Sequence, residues 1–153
     1  NNELITCGNQ LIRIKKSIKN LVLLGDAYRL KAIRIHNTTF KNISSSDPRY
    51  KKLEKEIDTY QSKAIDSYNE AVYLFAHNEL DTIFDIKAVV EAKQHLLYLL
   101  FDKSDDYSNR VRATKYDAFI KNLKNDKYLK MVEEQLGKED AKKWLEKITA
   151  PIY

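Results

Sequence analysis

The sequence predicts an all-α fold, and three observations carry that reading. Three glycines and two prolines in 153 residues are too few for the many tight turns of a β fold and suit long unbroken helices. Apolar residues recur at steps of three and four, the period of helical turns. Hydrophobic residues make up 43% of the chain and charged residues 32%, enough to fill a core beneath a charged exterior. A chain of this length has the size of one domain and buries roughly 70% of the surface its unfolded form exposes. It needs no disulfide or structural metal to stand.

The expected architecture is an antiparallel bundle. Its two long N-terminal helices form a hairpin, followed by an apolar third helix, a fourth, and short C-terminal helices. The first helix reads from a seam of Leu11, Ile14, Ile18, Leu21, Gly25, Tyr28, Ala32 and Ile35, spaced as in bundles and coiled coils. Residues 1–9 are left as a lead-in. Gly25 and Ala32 are small, so they either admit a close neighbour or leave a pocket. The helix decays through Asn37-Thr38-Thr39, which favour turns.

A boundary follows at Ser44-Ser45-Ser46-Asp47-Pro48, where Asp47 caps and Pro48 suits a first helical position. Tyr50, Leu53, Ile57, Tyr60, Ala64, Tyr68, Ala71 and Phe75 then mark a second long helix. A modest loop between two long helices makes them antiparallel neighbours. The third helix, from about Glu79 to Phe101, becomes apolar nearly all round, as a helix packed on several sides does. Ser104, Asp105 and Asp106 begin the fourth, with Val111, Tyr116, Phe119, Ile120 and Leu123 on its inner face. A short helix over 127–136 stops at Gly137, a left-handed cap residue. Ala141, Trp144, Leu145 and Ile148 supply the last helix, which Pro151 closes. No repeat, low-complexity tract or linker interrupts this order.

Several chemistries find no motif. Cys7 is the sole cysteine, which excludes an internal disulfide and a Cys/His zinc pattern. Leu4-Ile5-Thr6-Cys7-Gly8 has the form of a lipoprotein cleavage box, yet residues 1–6 precede the cysteine that lipidation would make first. No apolar run approaches the ~20 residues of a membrane span. His77 and His95 are 18 residues apart, so even one continuous helix would hold them five turns from each other, too distant to share an ion, and each has a carboxylate four residues away, Asp81 and Glu91, as a surface partner. Di-iron bundles use Glu-x-x-His pairs, whereas this chain has one Glu-x-x-x-His. No nucleophile elbow, Gly-rich phosphate loop or oriented base stands out. The reading is therefore a non-enzyme with no cofactor and no metal.

Charge is uneven. Residues 11–46 hold eight basic side chains against Asp26, while residues 77–153 hold fourteen of each sign. The candidate surface for an anionic partner is Lys15, Lys16, Lys19, Arg29, Lys31 and Arg34, expected as two patches because Lys15–Lys19 and Arg29–Arg34 occupy different turns. Carboxylates of the second helix, Glu70 among them, are placed to cancel part of it. Tyr28, Tyr60 and Tyr68 lie on the apolar stripes, where buried hydroxyls need partners and rim hydroxyls do not.

The functional expectation is subtractive. A stable bundle with long helices, a charged exterior and no chemistry points to a non-catalytic module that binds a macromolecule, foremost another protein. Two alternatives are an extracytoplasmic sensor or lipoprotein domain for a small ligand, and nucleic-acid association through the first helix, which lacks a known recognition motif. The heptad seam with its exposed flanks is also compatible with a homodimer.

Overall fold

The computed structural model describes residues 2–77, 82–123 and 126–151. Its helices are α1 (Asn2–Ile14), α2 (Ile18–Thr38), α3 (Tyr50–Ala76), α4 (Ile83–Lys103), α5 (Asn109–Leu123), α6 (Asp126–Leu136) and α7 (Lys138–Thr149), with a single 3-10 turn at Phe40–Asn42. The described residues contain no strand, so the fold is all-α.

The first rod differs from its expectation: it breaks at residues 15–17, and residues 2–9 belong to a helix. Ser17 takes an extended conformation at φ −108° and ψ 162°, and its Oγ accepts from the Asn20 backbone N–H at 3.2 Å. The Asn20 side chain then donates to the carbonyls of Lys15 at 2.9 Å and Leu11 at 3.3 Å. Two polar residues thus answer the orphan groups of both helix ends. Folding back lets α1 cover Leu24. At Gly8 an added Cβ would lie 2.9 Å from Leu24 Cδ1 and 3.2 Å from Leu24 Cα, so only glycine permits this approach. Ile14, a seam residue, is left 81% exposed at the break.

α2 and α3 form the expected antiparallel hairpin. Lys16 pairs with Glu70, the Tyr68 ring lies against Gly25, and the Tyr28 and Tyr60 rings stack at 6.3 Å. Of the two readings of Gly25, close approach is the one realised: a Cβ there would stand 2.6 Å from Tyr68 Cε1. The 27 residues of α3 extend about 40 Å. Its start at Tyr50 is two residues later than expected. Pro48 lies in the preceding turn, and Asp47 Oδ1 accepts from the Arg49 N–H at 2.8 Å.

α4 runs antiparallel to α3, held at one end where Lys103 Nζ meets Asp58 Oδ1 at 2.5 Å and Ser62 Oγ at 2.7 Å. It therefore lies parallel to α2. The described helix begins at Ile83 because Thr82 and Asp85 form a capping box; the expected start at Glu79 falls outside the described residues. As its all-round apolar character implied, Leu96, Leu97 and Leu99 are buried. The next helix starts at Asn109, past the Ser104-Asp105-Asp106 cap read from the sequence. Ser104 instead ends α4, and Ser108 Oγ accepts from the Val111 N–H at 3.3 Å. Asp126–Leu136 then matches the expected short helix, ending at Gly137 with φ +83°.

The core runs from α2 to α7, from Ile18 and Tyr68 through Val89, Val90 and Leu123 to Val132 and Leu145. α7 is tied to it by a buried relay. Gln94 Nε2 donates to Tyr116 Oη at 2.9 Å and to the Ala150 carbonyl at 3.0 Å, and Tyr116 Oη donates to the Thr149 carbonyl at 2.7 Å.

Candidate interaction groove

Two separate cavities open between the parallel helices α2 and α4, one beside Lys19 and Phe84 and one beside Ile33 and Leu99, and the positions that line them are together called the groove. On α2 its wall is Lys19, Leu23, Asp26, Arg29 and Ile33; on α4 it is Phe84, Lys87, Glu91, His95 and Leu99. These positions recur at three and four residues, so each set forms one helix face. From Lys19 to Ile33 the groove spans about 21 Å.

Its two ends are apolar. At the first, Leu23 is 44% and Phe84 63% exposed, beside Val22 and Ala88, over a cavity of about 260 Å³. At the second, Ala32, Ile33, Tyr98 and Leu99 surround about 200 Å³, with Gln61 and Asp102 at the margin. Ile33 is also substantially exposed, as is Leu30 on the same helix.

The middle is polar and organised from below. Tyr68 of α3 is fully buried, and its hydroxyl donates a short hydrogen bond to Asp26 Oδ1. Arg29 Nε donates to the same hydroxyl at 3.1 Å, and its Nη2 lies 3.8 Å from Asp26 Oδ1. A buried hydroxyl between a carboxylate and a guanidinium is satisfied twice. Burial, and then the Asp26 carboxylate, push the Tyr68 phenol well above its ordinary pKa, so it stays protonated as donor. His95 stacks on the Tyr68 ring at 5.9 Å. Burial, and then Arg29, hold its pKa below the ordinary value against the opposing pull of Asp26. The expected His95–Glu91 surface pair does not form the local contact: Glu91 faces Lys87 at 4.0 Å instead. His77 contacts the Tyr73 carbonyl at 2.8 Å, and Asp81 lies outside the described residues.

The six basic residues read from the sequence are dispersed. Lys15 and Lys16 sit at the helix break, where Lys16 meets Glu70. Lys19 stands on the groove rim. Arg29 is half-buried in the Asp26–Tyr68 cluster. Lys31 and Arg34 occupy the far part of α2, so Lys15–Lys19 and Arg29–Arg34 do fall apart along the helix. Of the tyrosines, Tyr28 and Tyr60 are rim residues, stacked with Lys63 Nζ 5.6 and 6.0 Å from their centroids, whereas Tyr68 is core.

Sequence reasoning missed Leu23, Leu30, Ile33 and Phe84. For Leu23, Leu30 and Ile33 the signal was present as apolar residues off the α2 seam, but a single seam was taken as the whole apolar content of the helix; Phe84 was read as one of the apolar residues of its helix, not as a surface residue. Chemically, the groove offers apolar anchors and a preformed ion pair. Cys7 is exposed on α1, and among the described residues no three His, Cys, Asp or Glu side chains gather as a metal site. No described helix is long and apolar enough to cross a membrane. Comparison of the chain with known protein families, curated proteins and solved structures finds no match in any of the three.

Proposed function

We propose that the protein is a non-catalytic helical module that takes an amphipathic helix of a protein partner into the α2–α4 groove. The observation that supports this reading is exposed apolar surface at both cavities, Leu23 with Phe84 at one and Ile33, lying over the buried Leu99, at the other. Burying exposed apolar area stabilises association by roughly 25 cal/mol per Å², and helices dock into such grooves through residues at i, i+3, i+4 and i+7. Charge sets the orientation. Lys19 and Lys87 mark one end, while Asp26 and Glu91 mark the middle. The fitting partner helix spans about four turns, with an acid near its first apolar anchor to meet Lys19, since Asp26 and Glu91 are already engaged with Arg29 and Lys87.

Two alternatives draw less support. Lys16 and Arg29 are engaged with Glu70 and Asp26, which thins the basic surface that nucleic acid would use. The second cavity, about 200 Å³, is below the roughly 300–1,000 Å³ usual for ligand pockets and suits one anchoring side chain.

The test compares the wild type with a Leu23→Asp/Phe84→Asp variant as baits in an extract of the source cells. The expected result is a protein retained by the wild type and lost from the variant, whose binding segment, made as a peptide, turns helical on titration. Retention indifferent to both substitutions, or a binding segment that stays extended, rejects the reading.

A further inference from the structure

We infer that α1 is an exchangeable arm: the hinge at residues 15–17 straightens, residues 2–38 become one helix, and two copies of this chain trade their α1 segments. The inference is independent of the groove reading. The apolar seam crosses the break without losing phase, since Leu11, Ile14, Ile18 and Leu21 keep steps of three and four. No glycine or proline enforces the turn at Lys15-Lys16-Ser17. What holds it is the Ser17 cap and the Asn20 clasp on Leu11 and Lys15, together with the packing of Gly8 on Leu24, a contact that exchange between copies would keep.

The bent form leaves apolar surface that the straight form covers. Ile14 is 81% exposed and Tyr73 59%. α3 pairs with the start of α2 at Lys16–Glu70 and continues past it to Ala76. A straightened helix carries the seam alongside those last turns, where Tyr73 stands.

The register also closes. Gly8 sits on Leu24 within the chain, and these positions are equidistant from residue 16. Two straight helices laid antiparallel about residue 16 therefore set each Gly8 on the other copy's Leu24, a self-complementary contact of two-fold symmetry that reuses the native packing. Short hinges that can join two helices invite this exchange. The pairs Lys15 and Lys16 of both copies meet near the axis, so their repulsion opposes the dimer and salt relieves it.

The experiment is light scattering and sedimentation of the full chain over micromolar to millimolar concentration, with circular dichroism confirming helicity. Ser17→Ala with Asn20→Ala removes the cap and the clasp and favours helix at both positions. Each hinge shifts roughly tenfold toward the straight form, so the dimer strengthens about a hundredfold and strengthens further from 0.05 to 0.5 M salt. Lys16→Pro, which bars a continuous helix, stays monomeric. Adding Gly8→Leu to the double variant returns it to monomer, because the shared α1–α2 contact is lost. A double variant that is monomeric throughout overturns the inference. So does a dimer that survives Gly8→Leu or forms equally with Lys16→Pro, since association then uses another surface.

Discussion

A hydroxyl placed at the centre of a helical bundle must find partners, and at Tyr68 those partners come from α2, through Asp26 and Arg29. The glycine that makes room for the ring, Gly25, lies one residue before Asp26, so close approach and polar capture are set by adjacent residues. His95 completes the stack and carries a consequence for pH. Its folded pKa is depressed by burial and by Arg29, so the folded state binds fewer protons at this ring than the unfolded chain does. Stability is then fully present above the unfolded value of about 6.5 and declines as pH falls below it. Urea midpoints taken at pH 7, 6 and 5 should show the wild type losing ground relative to His95→Gln, with the gap changing across that window. Parallel curves for the two proteins would remove His95 from the account.

At the scale of elements, the helices are secured by different devices. α4 starts at a capping box, α2 at a serine cap, and α6 gives way to α7 at a positive-φ glycine. α7 depends most on one side chain, because Tyr116 both accepts from Gln94 and donates to the Thr149 carbonyl. Tyr116→Phe leaves a buried amide donor and a buried carbonyl each short of a partner. At about 1–1.5 kcal/mol for each bond, the variant should lose about 2–3 kcal/mol. Hydrogen exchange should locate the loss in the last turn of α7; protection there equal to the wild type would mean the relay does not hold the helix. The elements with strong seams, α3 above all, were legible in the sequence. The break at residues 15–17 was not, because Lys and Ser in mid-pattern do not forbid helix. Its cause is the tertiary gain from laying Gly8 on Leu24, together with an Asn20 side chain that reaches back nine residues to Leu11. The start of α5 was misplaced because Ser104 and Ser108 are both competent caps: Ser104 ends α4 in an extended conformation, and Ser108 supplies the cap bond to Val111.

On the scale of the molecule, one continuous core joins α2, α3 and α4 to α6 and α7, with Trp144 packed against it. Such a chain should unfold as a single cooperative unit. The fluorescence of Trp144, the only tryptophan, reports on α7, whereas far-ultraviolet circular dichroism reports on every helix. Their urea transitions should coincide within error, and an earlier fluorescence transition would show that the C-terminal helices melt separately. α1 is peripheral, with Gly8 its one deeply buried residue and Ile12 its contact with this core, as suits an arm that exchanges between copies.

By itself the sequence determined the helical class, the approximate span of α3 and α6, where α2 ends, and the hairpin. Turn-period spacing is a local property, and the antiparallel pairing follows from a short connection. Only the tertiary structure decided which apolar faces were left over. Leu24 is covered by α1 while Leu23 beside it stays at the groove, because burial depends on which neighbour arrives, and no single helix encodes its neighbours' positions.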